Sequence, residues 1–368
     1  MSRIDVAPAG VRATHALVVG VGTYPFCGPG APLQAARNVR DLTSPPISAH
    51  GFVDWLIDHA GDFDAPLSSI TLLADPVPGS AHGTTPPTFD EVEAAMQAWQ
   101  NEGREDDVLL LYWCGHGLLD QNQRRLLLCQ DVGKNGRFWR HVVDSRADSV
   151  QARASRARTQ LWLIDACQEA AEHLKLFNPS GLSTLPDIGA NLLAQTTGKD
   201  IGLVLSSAEF QLARATRSAE SNFCQALKEV LTWRAFVQKG AGRWLVRTTD
   251  LVSPINDVFA ARGVKQRCTS RDGVGQHPVL SRSRPPEIPA TFACDPSEMQ
   301  AEVLMSVERI GPAAERTQLA AQQAPSAEPW PLAVPAGMFF LSGQHGTQGA
   351  RETPVFINPN VTRGVLPW

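Results

Sequence analysis

The apolar residues of this chain fall in short runs that lack polar alternation. "HALVVGVGTY" (15 to 24), "SSITLLAD" (68 to 75), "DDVLLLYWCG" (106 to 115), "RRLLLCQDV" (124 to 132), "TQLWLID" (159 to 165) and "DIGLVLSSA" (200 to 208) are rich in Val, Leu and Ile. Such runs predict strands buried on both faces. Between them, apolar residues at three- and four-residue spacing predict helices over 33 to 42, 51 to 60, 88 to 100, 145 to 158 and 221 to 236. Thr88, with Glu91 three residues on, has the pattern of a capping box for the third of these. Strands alternating with helices predict an α/β fold, with a mostly parallel central sheet covered by helices on both faces. In such a sheet the reactive groups collect at the C-terminal ends of the strands.

After residue 285 the texture changes. "SRSRPPEIPATFACDPS" is rich in proline, "SEMQAEVLMSVERI" (297 to 310) has a helical pattern, and 311 to 337 reads as a Pro/Ala-rich linker before an irregular tail. The expected organisation is an N-terminal arm (1–13), an α/β domain (14–285) and a C-terminal appendage (286–368).

Composition narrows the classes. Hydrophobic residues make up 43% of the 368, enough for a sizeable core. The net charge of −4 argues against a nucleic-acid binder, and the arginines of "SRADSVQARASRARTQ" read as a solvated helix face. Seven cysteines, an odd number with no framework spacing, fit a reducing compartment better than a disulfide scaffold. No apolar run approaches the roughly 18 residues of a membrane span, and the first residues lack a signal-peptide core. The expectation is a cytoplasmic protein that binds neither membrane nor nucleic acid.

Two strand ends carry the candidate chemistry: Gly115-His116-Gly117 and Asp165-Ala166-Cys167. A cysteine nucleophile needs a base to become thiolate and N–H donors for the oxyanion it creates. His116 supplies a base, and the backbone N–H groups of Gly117 and Cys167 supply donors. Adjacent parallel strands would bring the two ends together. Cys114 with Cys129 suggests a metal, but there is no CxxC pair and no compact fourth ligand, so no metal or other cofactor is expected. "GVGTYPFCGPG" is not a dinucleotide loop, because Tyr24-Pro25 breaks the helix that loop must open.

A strand ending Gly-His-Gly, followed by one ending Asp-Ala-Cys, resembles the caspase-like cysteine proteases (peptidase C14), in particular metacaspase-like and other prokaryotic members. Fifty-one residues separate His116 from Cys167, against roughly 50 in caspases. "ALVVGVGTY", "LQAARNVRDL", "LVLSSAEFQLA", "NFCQALKEVL" and "WLVRTTDLVSPINDVFAARG" with "QHPVL" match the family in order, over about residues 14 to 285. The resemblance implies the caspase-like three-layer fold, with Cys167 as nucleophile and His116 as general base and then acid, hydrolysing peptide bonds through an acyl-enzyme. It also implies an S1 pocket in which Asp165 and Ser206 receive a basic P1 side chain, with Glu209 as a further source of charge. A buried carboxylate attracts Arg or Lys and repels Asp. The chain departs from metacaspases where "CQEAAEH" replaces a small Ser-Gly pair after the cysteine.

In the family, the loop after the cysteine is often where self-cleavage occurs, so Lys175 and Lys199 are candidate sites. The expected partners are a protein or peptide substrate and a sensor or activator, since many prokaryotic relatives are effectors in defence or regulated cell death. A calcium requirement is left open. Three other readings stand beside this one: a non-catalytic module that keeps the fold, a protease with Leu or Asp preference at P1, and a different cysteine-dependent hydrolase or transferase using the same pair.

Overall fold

The computed structural model describes residues 2–7, 12–32, 34–119, 124–166, 169–170, 199–207, 218–240, 242–271, 278–311 and 314–368. Contacts divide the chain into two compact units, Met1–Val230 with Val246–Ser281, and Leu231–Leu245 with Arg282–Trp368. Sequence alone put one division at residue 286; the second unit also takes a segment from the middle of the chain.

The first unit is built on strands β1 (Ser2–Asp5), β2 (Thr14–Gly20), β3 (Leu67–Ala74), β4 (Val108–Gly115), β8 (Thr159–Ala166), β10 (Asp200–Leu205) and β13 (Thr269–Arg271). They form one seven-stranded sheet in the order β1-β3-β2-β4-β8-β10-β13. The five strands from β3 to β10 are parallel, and β1 and β13 close the edges antiparallel. Part of the expected N-terminal arm is thus an edge strand. A small second sheet holds β5 (Gly117–Leu119), β6 (Arg125–Leu128), β7 (Val142–Asp144) and β9 (Glu169–Ala170), in the order β7-β6-β5-β9.

Helices cover both faces of the large sheet: α1 (Gln34–Arg37), α2 (Ser44–Asp58), α3 (Phe89–Glu102), α4 (Ser145–Gln151), α5 (Asn222–Glu229) and α6 (Val252–Ala261). Successive side chains on a strand point to opposite faces. The Tyr112 ring packs against Phe52 of α2, with centroids 4.7 Å apart and planes tilted by 36°. Trp113, its neighbour, joins the buried cluster that holds Val92, Met96 and Trp99 of α3. The Ser221 N–H just before α5 donates to Ser48 Oγ (2.9 Å), which puts α5 on the α2 side. Gly20 lets β2 meet α2 closely, since a Cβ there would lie 2.6 Å from that of Ala49.

Several helices differ from their sequence patterns. The helix expected over 33 to 42 stops at Arg37, because the residues after it are drawn into the loop that follows β2. There the Leu42 N–H donates to the Gly22 carbonyl (2.7 Å) and the Asp41 carboxylate accepts from the Tyr24 N–H (2.8 Å). Helix α2 starts seven residues before its pattern, on Pro45 and Pro46 in its first turn, where a missing N–H costs nothing. Thr88 is the N-cap of α3 without a capping hydrogen bond; the Phe89 N–H goes to Asp131 Oδ1 at 2.8 Å.

The second unit is mostly β. Strands β11 (Val237–Lys239) and β12 (Arg243–Arg247) form a hairpin, and both β12 and β14 (Pro278–Arg282) cross the boundary between units. Strands β15 (Glu287–Asp295), β18 (Trp330–Pro335) and β21 (Arg363–Pro367) form one sheet. Strands β16 (Val303–Ile310), β17 (Arg316–Ala321), β19 (Gly337–His345) and β20 (Gly349–Ile357) form another. This corrects the expected helix, linker and irregular tail. The helical pattern over 297 to 310 becomes one 3₁₀ turn, Ser297–Ala301, and then a strand. Val303, Met305 and Val307 are buried in alternation, a period of two. Phe339, Leu341, Gly343 and His345 repeat that period along β19.

Among the described residues, no helix is long and apolar enough to cross a membrane. The capping geometry gives a direct check. Asp131→Ala should destabilise the protein by about 1–2 kcal/mol in chemical denaturation, whereas Thr88→Ala should change it by a few tenths.

Candidate active site

The site lies at the C-terminal ends of β2, β4 and β8. Their register sets Gly20 beside Cys114 and Cys114 beside Asp165. One step further, Gly115 pairs with Ala166. These two residues directly precede His116 and Cys167 in the chain. Cys167 itself lies outside the described residues, as do Lys175 and Glu209.

His116 is held at three points. Its N–H donates to Tyr24 Oη (3.0 Å), its carbonyl accepts from the Leu128 N–H (3.0 Å), and its Nε2 lies 2.8 Å from the Arg40 carbonyl. A carbonyl only accepts, so Nε2 carries the hydrogen and the neutral ring keeps its lone pair on Nδ1. The Leu128 bond also fixes the Gly117–Leu127 pair as the non-hydrogen-bonded kind. The Gly117 N–H is therefore not used by β6.

The loop that carries Tyr24 is tied to the sheet by Asp75, at the end of β3. Asp75 Oδ2 accepts from the N–H groups of Gly22 (2.7 Å) and Thr23 (2.9 Å), and Oδ1 from Thr23 Oγ1 (2.8 Å) and Gln130 Nε2 (2.6 Å). Burial pushes the Tyr24 phenol well above its ordinary range, so it remains a neutral hydroxyl.

Asp165 and Ser206 are both buried. Asp165 Oδ2 accepts from Tyr112 Oη (3.1 Å), from Cys114 Sγ (3.4 Å) and from Ser221 Oγ. Ser206 adds a side-chain hydrogen bond, and its Oγ lies 3.4 Å from the Ala166 carbonyl. These donors are neutral. Burial lifts the Asp165 carboxyl above its usual range, against the pull of the hydrogen bonds. Burial and the neighbouring carboxyl also push the Cys114 thiol well up, which keeps it a protonated donor. Ser221 caps α5 as well, accepting from the Cys224 N–H at 2.9 Å.

The structure thus brings Asp165 and Ser206 together at the end of β8, which lies beside the end of β4 that leads into His116. It places Lys199 elsewhere, at the foot of β10, where Nζ donates to the carbonyls of Ser155 (2.7 Å), Arg156 (2.9 Å) and Ala157 (3.2 Å). Cutting after Lys199 would first have to release these bonds. Sequence reasoning missed Tyr24, the Arg40 carbonyl, Tyr112 and Ser221 as partners of the site. Ser221 had a signal, as a serine opening a helical pattern; the others had none beyond their position. Among the described residues, no three His, Cys, Asp or Glu are placed to share a metal ion.

Asp165 should mark the pH dependence of stability. With its folded pKa raised, the native state keeps a proton that the unfolded chain has lost. Stability then falls as pH rises above about 4, the ordinary aspartate value. Denaturation measured across pH should show that slope in the wild type and a flatter one in Asp165→Asn.

The Peptidase_C14 family model, the caspase domain, matches residues 13–287, in agreement with this architecture. No curated protein sequence matches significantly. Among solved structures, the crystal structure of caspase-1 from Spodoptera frugiperda is similar at 12% identity, covering 74% of this chain and 93% of that one, with a TM-score of 0.43. With three quarters of its length inside that family model, the chain belongs to the caspase-domain family of cysteine peptidases, Peptidase_C14.

Proposed function

We propose that this peptidase is an endopeptidase that works through a His116–Cys167 pair. The observation that carries the proposal is the register of β4 and β8, which aligns the residues preceding His116 and Cys167. With Nε2–H bound to the Arg40 carbonyl, Nδ1 takes the thiol proton. The Cys167 thiolate attacks the scissile carbonyl, and the Gly117 and Cys167 N–H groups receive the oxyanion. The imidazolium returns its proton to the leaving amine, and an activated water then hydrolyses the acyl-enzyme.

We assign a basic P1 preference to the Asp165–Ser206 pair. Asp165 is a buried carboxyl whose hydrogen-bond partners among the described residues are all uncharged. An Arg or Lys side chain would supply a positive charge to match it. Self-cleavage, if the enzyme uses it, is better placed at Lys175 than at Lys199, given the three bonds that hold Lys199. The cellular role we propose is that of a cytoplasmic effector protease, restrained until a sensor or activator releases it, in bacterial defence or cell death.

Fluorogenic peptides with Arg, Lys, Leu or Asp at P1 test both parts. Cleavage should favour Arg and Lys and vanish in Cys167→Ala. KM for the Arg substrate should fall as pH rises, because ionised Asp165 is the form that binds it. Asp165→Asn should raise that KM by about tenfold or more, roughly 1.4 kcal/mol, and leave slow Leu cleavage unchanged. Cleavage after Leu or Asp alone would remove the pocket assignment and keep the pair. No labelling of Cys167 by a peptide chloromethyl ketone would remove the pair.

A further inference from the structure

His116 stands between two glycines, so its own strand fixes it poorly. Its orientation has to come from other parts of the chain. Three hydrogen bonds close a ring around it. Its N–H donates to Tyr24 Oη (3.0 Å) and its Nε2–H to the Arg40 carbonyl (2.8 Å). Asp41, the next residue after Arg40, accepts from the Tyr24 N–H at 2.8 Å. The two segments that grip the histidine therefore also grip each other. The Tyr24 ring lies 5.0 Å from the imidazole, tilted by 50°. Its hydroxyl hydrogen goes to the Val21 carbonyl at 3.2 Å, which turns the oxygen lone pairs toward the His116 N–H. Gly115 makes room for this: a Cβ there would lie 3.2 Å from Tyr24 Oη and equally 3.2 Å from Val21 Cβ.

We propose that Tyr24 is the positioning residue of His116, holding its backbone so that Nε2 stays on the Arg40 carbonyl and Nδ1 keeps the lone pair that acts as base, with Gly115 leaving room for the Tyr24 hydroxyl and Val21 beside it. The inference rests on His116 being the base proposed above. Tyr24 meets His116 through its hydroxyl and its ring. It acts through the histidine, and its removal should change the rate of proton transfer more than the binding of substrate.

The test is Tyr24→Phe in the full chain, which keeps the ring and removes one oxygen. Hydrolysis of an Arg-P1 peptide should lose about tenfold or more in kcat, with KM within about twofold. Labelling of Cys167 by the matching chloromethyl ketone should slow in parallel. Nitrogen NMR of histidine-labelled protein gives a readout independent of turnover, with His116→Ala identifying the signals. The wild type should show the Nε2–H tautomer alone, and Tyr24→Phe a mixture. Gly115→Ala should produce the same mixture with Tyr24 intact, because its methyl group would crowd the Tyr24 hydroxyl and Val21 together. Unchanged kcat and an unchanged tautomer in Tyr24→Phe would overturn the proposal. So would a loss of melting temperature with the tautomer intact, since Tyr24 would then be only structural. Full hydrolysis by His116→Ala would instead remove the base assignment itself.

Discussion

In-register parallel pairing of β2, β4 and β8 is the constraint on which the site depends. It sets Gly20, Cys114 and Asp165 in one row and Gly115 beside Ala166 in the next. A slip of one residue would turn every side chain of a strand to the opposite face. Asp165 would leave the α2 side, where Tyr112, Cys114 and Ser221 meet it, for the apolar cluster that holds Trp113 and Trp162. A bare carboxylate among those rings would cost several kcal/mol. The register is thus held from both faces, by the tryptophans on one and by the carboxyl network on the other.

The same network ties the sheet to its helices. Ser221 donates to Asp165 and accepts from the Cys224 N–H, so a single hydroxyl starts α5 and satisfies the strand end. Cys224 Sγ reaches the Ser48 carbonyl at 3.5 Å, linking α5 to α2. A carboxyl buried here, with only neutral partners among the described residues, sits above its ordinary range. Four hydrogen-bond donors limit the cost of burying it, and the charge it takes on when ionised is what a basic side chain would meet.

How much was legible depended on range. The buried runs marked the core strands, since a strand covered on both faces leaves no room for polar alternation. Gly-His-Gly and Asp-Ala-Cys marked two strand ends through their order and spacing. Capping was less legible: Thr88 had the right neighbours in sequence, yet Asp131, 42 residues away, took the Phe89 N–H. In the second unit, the alternation of Val303, Met305 and Val307 was present but masked by the helical spacing of "SEMQAEVL". A short apolar stretch satisfies both periods, and only pairing with β17 and β19 decided between them.

The sequence by itself determined the parallel core, because buried strands leave unalternated apolar runs, and its two strand-end motifs carried the resemblance to the family. Tertiary structure alone decided which nitrogen of His116 bears the hydrogen, through an Arg40 carbonyl 76 residues away. It alone gave Gly115 its reason, through the Tyr24 hydroxyl and Val21, and gave Asp165 its neutral donors. A hydrogen bond between distant segments has no period and leaves no spacing in the chain; it exists only once packing has brought donor and acceptor within about 3 Å.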